Sequence, residues 1–157
     1  MMKSVVVVFA GNKIGFKYEK VFEGKSAFEK VIDWSCKVKD SVQTVVLCNK
    51  ENLPFVNESL QNKNNISIVE DENWTNACIA KYVSESINRF KADFAVFAWG
   101  DTPFINKKIT DDIIESHIEY KAEYTFADGF CGGLTVEAID KGAAAIISCP
   151  DRKSTRL

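Results

Sequence analysis

The chain has 157 residues, of which 46% are hydrophobic and 27% are charged, and its formal net charge is −2. This length and composition predict one soluble globular domain with a substantial core. The charge gives no general attraction for nucleic acid or for an anionic membrane, and no apolar run is long enough to span one, so neither partner is expected.

The cysteines indicate a reducing compartment. No two of them form a C-x-x-C pair, and they are scattered as Cys36, Cys48, Cys78, Cys131 and Cys149. His117 is the single histidine, so a structural zinc site is not expected. We expect His117 to be packed or solvated rather than catalytic, and the protein to be cytoplasmic.

Apolar runs rich in β-branched residues alternate with segments of helical periodicity. In chain order the predicted elements are a strand over Val5–Ala10, a helix capped by Ser26, a strand over Gln43–Cys48, a short helix over Pro54–Leu60, a strand over Ile66–Val69, a helix from Thr75 to Phe90, a strand over Ala92–Trp99, a helix over Ile109–Tyr120 and a strand over Ala122–Ala127.

Each longer helix carries an apolar face that is expected to pack on the sheet. The faces are Phe28, Val31, Ile32 and Cys36 on the first helix, Cys78, Ile79, Tyr82, Val83 and Ile87 on the second, and Ile113, Ile114 and Ile118 on the third. Strands separated by helices imply right-handed βαβ units. The expected fold is therefore a three-layer αβα domain with a mostly parallel central sheet, which is Rossmann-like.

Two interpretations stay open after the loop Asp128–Gly133. Leu134–Ile139 is extended and Lys141–Ser148 helical, or the whole stretch is one broken helix. Pro150 then ends the regular structure. We predict a domain over residues 1–150, followed by a polar tail or linker over residues 151–157.

A Gly-Asp pair follows the predicted strand that ends at Trp99. Pro103 prevents that strand from continuing, so Asp101 comes at its carboxyl end. Ligands of open α/β sheets bind at these ends, so Asp101 is well placed to hold a metal or a hydroxyl. The alternative is a turn residue that bonds its own backbone.

The loop Gly11–Lys17 follows the first strand, where a phosphate-binding loop would lie. It matches neither G-x-x-x-x-G-K-[ST] nor G-x-G-x-x-G. A P-loop ATPase or a standard dinucleotide-binding protein is therefore not expected.

Three segments together resemble the nucleotidyltransferase-like superfamily, which shares its fold with family-A glycosyltransferases. Phe9-Ala10-Gly11, followed by a lysine-rich loop and Lys20, resembles the family's opening A-A-G-x-G-x-R and its later P-K. Gly100-Asp101-Thr102-Pro103 is similar to the family's G-D-x-P. Gly133-Leu134-Thr135-Val136-Glu137 is similar to the Y-P-x-G-L-D-V-E of spore-coat-polysaccharide-type cytidylyltransferases.

The resemblance implies transfer of a nucleotide from a nucleoside triphosphate to a sugar or sugar phosphate. The backbone of Ala10, Gly11, Asn12 and Lys13 would then bind the nucleotide. The resemblance gives Lys20 the role of stabilising charge at the α-phosphate and Asp101 that of holding Mg²⁺. It implies that Gly132, Gly133 and Glu137 contact the sugar, and exposure on a helix face is the alternative for Glu137.

The chain departs from the family pattern at three positions of the first segment. Lys13 replaces the second loop glycine, Gly15 replaces the phosphate-binding arginine, and Glu19 replaces the proline before Lys20. Lys13 or Lys17 can supply the charge of that arginine but not its bidentate geometry. Weak or absent transferase activity is therefore expected.

Two alternatives to a cytidylyltransferase-type enzyme of polysaccharide biosynthesis remain open. One is a non-catalytic nucleotide- or sugar-binding module, because the chain also resembles the N-terminal domain of bacterial proteins with a radical-SAM and SPASM region. The other is a glycosyltransferase of the same fold, with Asp101 as its metal ligand.

Overall fold

A computed structural model describes residues 1–148. The predicted stop at Pro150, the tail over residues 151–157 and the domain boundary at residue 150 lie outside this range. No helix within residues 1–148 has both the length and the apolar character needed to cross a bilayer.

Within residues 1–148, six strands and five α-helices follow one another in the order that the periodicity predicts. They are β1 (Ser4–Ala10), α1 (Ala27–Ser35), β2 (Ser41–Cys48), α2 (Leu53–Ser59), β3 (Ile66–Glu70), α3 (Asn76–Arg89), β4 (Phe94–Trp99), α4 (Lys107–Glu119), β5 (Tyr124–Phe126), β6 (Glu137–Asp140) and α5 (Lys141–Ile147), with a short 3₁₀ turn at Phe16–Tyr18.

The strands form one sheet in the order β3-β2-β1-β4-β6-β5. β1 pairs in parallel with β2 and β4, and β2 pairs in parallel with β3. The prediction of an α/β fold with a mostly parallel central sheet is therefore confirmed. β6 runs antiparallel to β4 and β5, and this reversal was not predicted.

Helices cover both faces of the sheet and produce two apolar cores. Alternate β1 residues such as Val6 and Val8 face α1 and α4, whereas Val5 and Val7 face α3 and α5. All four valines are fully buried, as expected for a central parallel strand. Because β1 is buried on both faces and pairs with β4, the carboxyl ends of these two strands have fixed positions. The candidate site lies at these ends.

The helix caps follow the local sequence closely. Ser26 and Glu29 form a capping box at α1, and Thr75 caps α3 through the backbone N–H of Cys78. α4 begins two residues earlier than predicted, because the side chain of Asn106 caps it by accepting from Ile109 N.

Three details of the predicted helix faces are wrong. Cys36 is the C-cap that ends α1, and it is exposed rather than packed on the sheet. Cys78 is only partly buried and lies against the carboxylate of Asp71, and Ile118 is 37% exposed. His117 instead is buried, as the packed alternative predicts, and its Nδ1 lies 2.9 Å from Thr125 Oγ1.

The open question after residue 133 has a definite answer. The stretch contains a short strand, β6, followed directly by helix α5, whose N-cap is Asp140. The alternative of one broken helix is wrong, and so is the helix-face position for Glu137. β5 is also shorter than predicted, because only Tyr124–Phe126 pair with β6.

Candidate functional site

The carboxyl ends of β1 and β4 bring the loops after them side by side. Phe9 lies opposite Trp99 in the ladder, and Gly100 N donates to Phe9 O at 2.8 Å. A Cβ on Gly100 would lie 2.8 Å from that same oxygen, so the close approach requires glycine. Gly11 and Asp101 therefore emerge next to each other from neighbouring strands.

Two asparagines that follow β2 hold the loop after β1 by its carbonyls. Asn52 is fully buried, and its Nδ2 donates to Ala10 O at 2.6 Å and to Asn12 O at 2.7 Å. Asn49 Nδ2 donates to Gly11 O at 3.0 Å. These bonds fix the positions of three successive carbonyls, those of Ala10, Gly11 and Asn12. The loop is therefore held in one conformation.

The side chain of Lys17 donates hydrogen bonds to the remaining part of this loop. Its Nζ donates to Asn12 O at 2.9 Å, to Asn12 Oδ1 at 2.6 Å and to Lys13 O at 2.7 Å, and the residue is only 2% exposed. Burial lowers the pKa of Lys17, while the nearby negative charge of Asp101 opposes that shift. The loop thus contains an internal ammonium group beside Asp101.

In the part of the chain that the structure describes, the carbonyls of this loop are hydrogen-bonded, whereas its backbone amides are not. Every carbonyl from Ala10 to Lys13 accepts a side-chain hydrogen bond, whereas no N–H of residues 11–14 donates to an acceptor within residues 1–148. Successive unpaired amides beside a cation are groups that can donate to an anion. This backbone segment carries the nucleotide-binding residues predicted from the sequence.

Trp74 lies against Gly11 and occupies the space over its Cα. A Cβ on Gly11 would lie 2.4 Å from Trp74 Cδ1 and 2.8 Å from Phe9 Cε2. The indole packs edge-on against Phe9 and tilts against Tyr82. Glycine is therefore required at this position because of a protein side chain, whereas the sequence suggested the approach of a nucleotide.

Lys20 is engaged away from this loop. Its Nζ lies 3.5 Å from Glu58 Oε1 of α2, and both side chains are more than half exposed. The lysine that lies beside Asp101 is Lys17. The structure thus brings Gly11 and Asp101 together but leaves Lys20 paired with α2.

Asp101 and the glycine-rich loop after β5 share one cavity of about 470 Å³. Its walls are Asp101–Phe104 on one side and Cys131–Leu134 on the other. Gly133 has φ +87°, and a Cβ there would lie 3.4 Å from Thr102 Cγ2. Asn106 N donates to Leu134 O at 3.0 Å and ties the two segments together. Gly132 has no atom within 4 Å of an added Cβ, so it faces open space.

Glu137 lies in the neighbouring cavity, of about 260 Å³, together with Gly133 and Thr135. It is the first residue of β6 and lies opposite Phe97. Burial, followed by a hydrogen bond with Glu137, raises the pKa of Tyr124 to about 12. The phenol of Tyr124 therefore stays protonated at neutral pH beside the carboxylate of Glu137.

Within residues 1–148, Asp101 is the one carboxylate that lines the cavity formed with residues 102–104 and 131–134. No group of three or more His, Cys, Asp or Glu side chains within residues 1–148 could hold a metal by itself. Asp101 is partly exposed and offers a hard oxygen donor. Mg²⁺ commonly binds through one or two carboxylates together with substrate phosphates, so the donor set fits only a metal that arrives with a phosphorylated substrate.

Several residues of this site were missed by the sequence-based prediction. Asn49 and Asn52 follow a buried strand, so their place at the carboxyl edge was a signal that could have been used. Trp74 follows β3 at the same edge. Lys17 and Lys20 cannot be distinguished in the sequence, because both are lysines of one irregular loop.

The sequence matches no protein-family model and no curated protein, whereas solved structures are similar over nearly the whole chain. A cytidylyltransferase from Leptospira borgpetersenii has a TM-score of 0.75 and 20% identity, with 100% of this chain and 66% of that chain covered. The fold is that of the cytidylyltransferases. This chain therefore spans about two thirds of the length of the Leptospira protein.

Two further structures with this fold carry ligands. CMP:2-keto-3-deoxy-manno-octonic acid synthetase, in complex with CTP, has a TM-score of 0.68 and 12% identity over 96% of this chain and 80% of that chain. A Mycobacterium tuberculosis protein in complex with manganese has a TM-score of 0.69 and 15% identity over 94% and 76%, respectively. At these identities the similarity shows the fold alone.

Proposed function

We propose that this chain is a cytidylyltransferase-type domain that binds a nucleoside triphosphate at the loop after β1 and a sugar-type acceptor beside Gly133. One observation carries the proposal: the amides of residues 11–14 donate to no acceptor within residues 1–148, while the carbonyls of residues 10–13 are all held. The CTP complex with the same fold supports the choice of nucleotide.

In this proposal, different residues bind the phosphate oxygens and the metal ion. The amides of Gly11, Asn12 and Lys13 donate to phosphate oxygens, and the ammonium of Lys17 adds positive charge from behind the loop. Asp101 supplies one oxygen ligand for a divalent cation such as Mg²⁺. When bound, that cation screens the charge of the phosphates and of the leaving pyrophosphate. The manganese complex with the same fold supports a metal requirement.

In the proposed reaction an oxygen of the acceptor attacks the α-phosphorus, and the bond from that phosphorus to the pyrophosphate oxygen breaks. The protein supplies no nucleophile, so its contribution is positioning. Gly132 and Gly133 let the acceptor approach the backbone, and Glu137 accepts from its hydroxyls. Lys20 reaches the phosphates only after leaving Glu58, and an exposed ion pair of this kind opposes that by about 1 kcal/mol or less.

A non-catalytic binding module is the second candidate, and the metal-binding side chains favour it. Asp101 is the one carboxylate on the wall that it shares with residues 102–104 and 131–134, and residues 1–148 hold no larger group of metal ligands. Such a module could serve as the accessory domain of a larger radical-SAM enzyme. In either role we propose a reducing cytoplasmic setting, which Cys36, Cys48, Cys78 and Cys131 support as free thiols.

Calorimetric titration with CTP, ATP, GTP and UTP, each with and without Mg²⁺, tests the proposal. We expect CTP to bind most tightly and to require Mg²⁺ for its full affinity. Asp101→Asn should remove the Mg²⁺ dependence, whereas Asp112→Asn on the exposed side of α4 should bind like the wild type. Absence of binding by all four nucleotides would contradict the nucleotide site.

An assay of pyrophosphate release separates the two candidate functions. A cytidylyltransferase releases pyrophosphate when CTP, Mg²⁺ and a suitable sugar are present, and the departures at Lys13, Gly15 and Glu19 predict that this release is slow. A binding module takes up CTP with no pyrophosphate release. Rapid turnover would contradict the expected weak activity.

A further inference from the structure

The segment that follows Asp101 borders a second cavity, which the proposed reaction does not use. This cavity of about 470 Å³ lies between α1 and the segment that runs from Pro103 to Lys107. Its volume is in the range of small-molecule sites. Trp34 and Ile105 contribute apolar walls, whereas most of its polar groups are lysines.

Positive charge is concentrated in this cavity although the chain as a whole is negative. Lys25, Lys30, Lys37 and Lys107 line it, against the two acids Glu23 and Asp33. Burial raises the pKa of Asp33, but hydrogen bonds from Lys25 and Lys63 outweigh this and hold it below the usual value. The charge of Asp33 is thus already balanced by two lysines.

Two of the lysines have no acidic partner. Lys107 pairs with Asp111, but neither Lys30 nor Lys37 has a carboxylate within 4 Å in the part of the chain that the structure describes. Lys30 is also partly buried. An anion in the cavity would supply the counter-charge that both ammonium groups lack.

Helix α1 and the turn that follows it supply one wall of the cavity. Lys30, Asp33 and Trp34 lie on one face of α1 with the spacing i, i+3, i+4, and Lys37 of the turn lines the same cavity. Trp34 Nε1 donates to Thr110 Oγ1 of α4 at 3.1 Å, which fixes the orientation of the ring. The apolar wall is therefore rigid, whereas the lysine side chains can adjust.

We propose that this cavity binds a small phosphorylated compound with a flat apolar body. The phosphate lies between Lys30 and Lys37, and the apolar body contacts Trp34 and Ile105. A phosphate suits the site better than a carboxylate, because its larger charge gains more from two ammonium groups. This cavity shares Pro103 with the cavity beside Asp101, but the proposal does not rest on the proposed function.

An NMR titration of the ¹⁵N-labelled chain with phenyl phosphate, inorganic phosphate and phenol tests both halves of the proposal. We expect phenyl phosphate to shift the Trp34 indole resonance and the amides of residues 30–37, with an affinity at least about threefold above that of inorganic phosphate. Phenol should bind more weakly than either. Equal affinities for phenyl phosphate and inorganic phosphate would overturn the role of the apolar wall.

Matched lysine variants test the charge. Lys30→Gln and Lys37→Gln should each weaken phenyl phosphate binding by at least about threefold, and added salt should weaken wild-type binding. Lys39→Gln is the control, because Lys39 is exposed just beyond α1 and does not line the cavity. Wild-type affinity in both cavity variants, or shifts confined to residues 11–14, would overturn the proposal.

Discussion

The two loops that border the candidate cleft are built in opposite ways. The loop after β1 is fixed by Asn49, Asn52 and Lys17, and Gly11 within it touches Trp74. The loop after β5 contains Gly129 and Gly132, which have no atom within 4 Å of an added Cβ. A preorganised loop lowers the cost of binding, whereas an open loop is ordered by its ligand. The nucleotide side is therefore expected to be rigid and the acceptor side adaptable.

The largest difference between the loops should appear when an alanine replaces a glycine in each. Gly11→Ala forces Trp74 and Phe9 to move, so we expect the free energy of unfolding to fall by about 2–3 kcal/mol. Gly132→Ala meets no neighbour and should change it by less than about 0.5 kcal/mol. Urea denaturation measures both. Equal effects would contradict the contrast between the loops.

Removing the buried amide of Asn52 tests what keeps the first loop rigid. Asn52→Ala removes the buried hydrogen bond to Ala10 O and one of the bonds to Asn12 O. We therefore expect the free energy of unfolding to fall by about 2 kcal/mol. Asn57→Ala, on the exposed side of the same helix, is the control. Backbone ¹⁵N order parameters for residues 11–14 should fall in the first variant only. Unchanged order parameters would show that another contact holds the loop.

Replacement of Lys17 should have a smaller effect on stability. Lys17→Met breaks three hydrogen bonds but also relieves the cost of burying a charge, so we expect a net loss of about 1 kcal/mol. CTP affinity should fall by more than that loss of stability explains, because the positive charge behind the amides disappears. Lys13→Met, at an exposed position of the same loop, tests whether any loop charge suffices.

The smallest expected effect is a dependence of the free energy of unfolding on pH. This effect should leave the structure of both loops unchanged. Burial lowers the pKa of His117, and its Nε2 has no hydrogen-bond partner within residues 1–148. Below the unfolded value of 6.5 the unfolded chain takes up a proton that the native chain resists, so stability falls as the pH decreases below about 6.5. Chemical denaturation at pH 7.5 and 5.5 measures this fall, which His117→Gln should reduce. An equal fall in stability in His117→Gln would show that other groups cause it.

The sequence predicts the parts of the fold that depend on neighbouring residues. Ser26 and Thr75 cap their helices through side chains within three residues, and the β1 run of valines suits only a strand buried on both faces. The direction of β6 could not be predicted, because Glu137–Asp140 is too short to show a period.

The candidate site was predictable only where a strand end marks it. Asp101 and Gly11 directly follow buried strands, so their proximity follows from sheet geometry. The bonds from Asn52 to Ala10 and Asn12 join residues about forty positions apart, and no local pattern specifies them. The pairing of Lys20 with Glu58 is equally a product of tertiary structure.

The reversal of β6 has a consequence for how such a domain can diverge. The chain leaves β4 at Gly100 and returns beside it at Glu137, after α4 and β5, and the bond from Asn106 N to Leu134 O joins the two ends of this segment. Insertions, deletions or exchanges in the loop between β5 and β6 therefore lie away from the pairing of β1 with β4. For the function proposed above, we expect acceptor preference to change on exchange of this loop, while the loop after β1 keeps its structure.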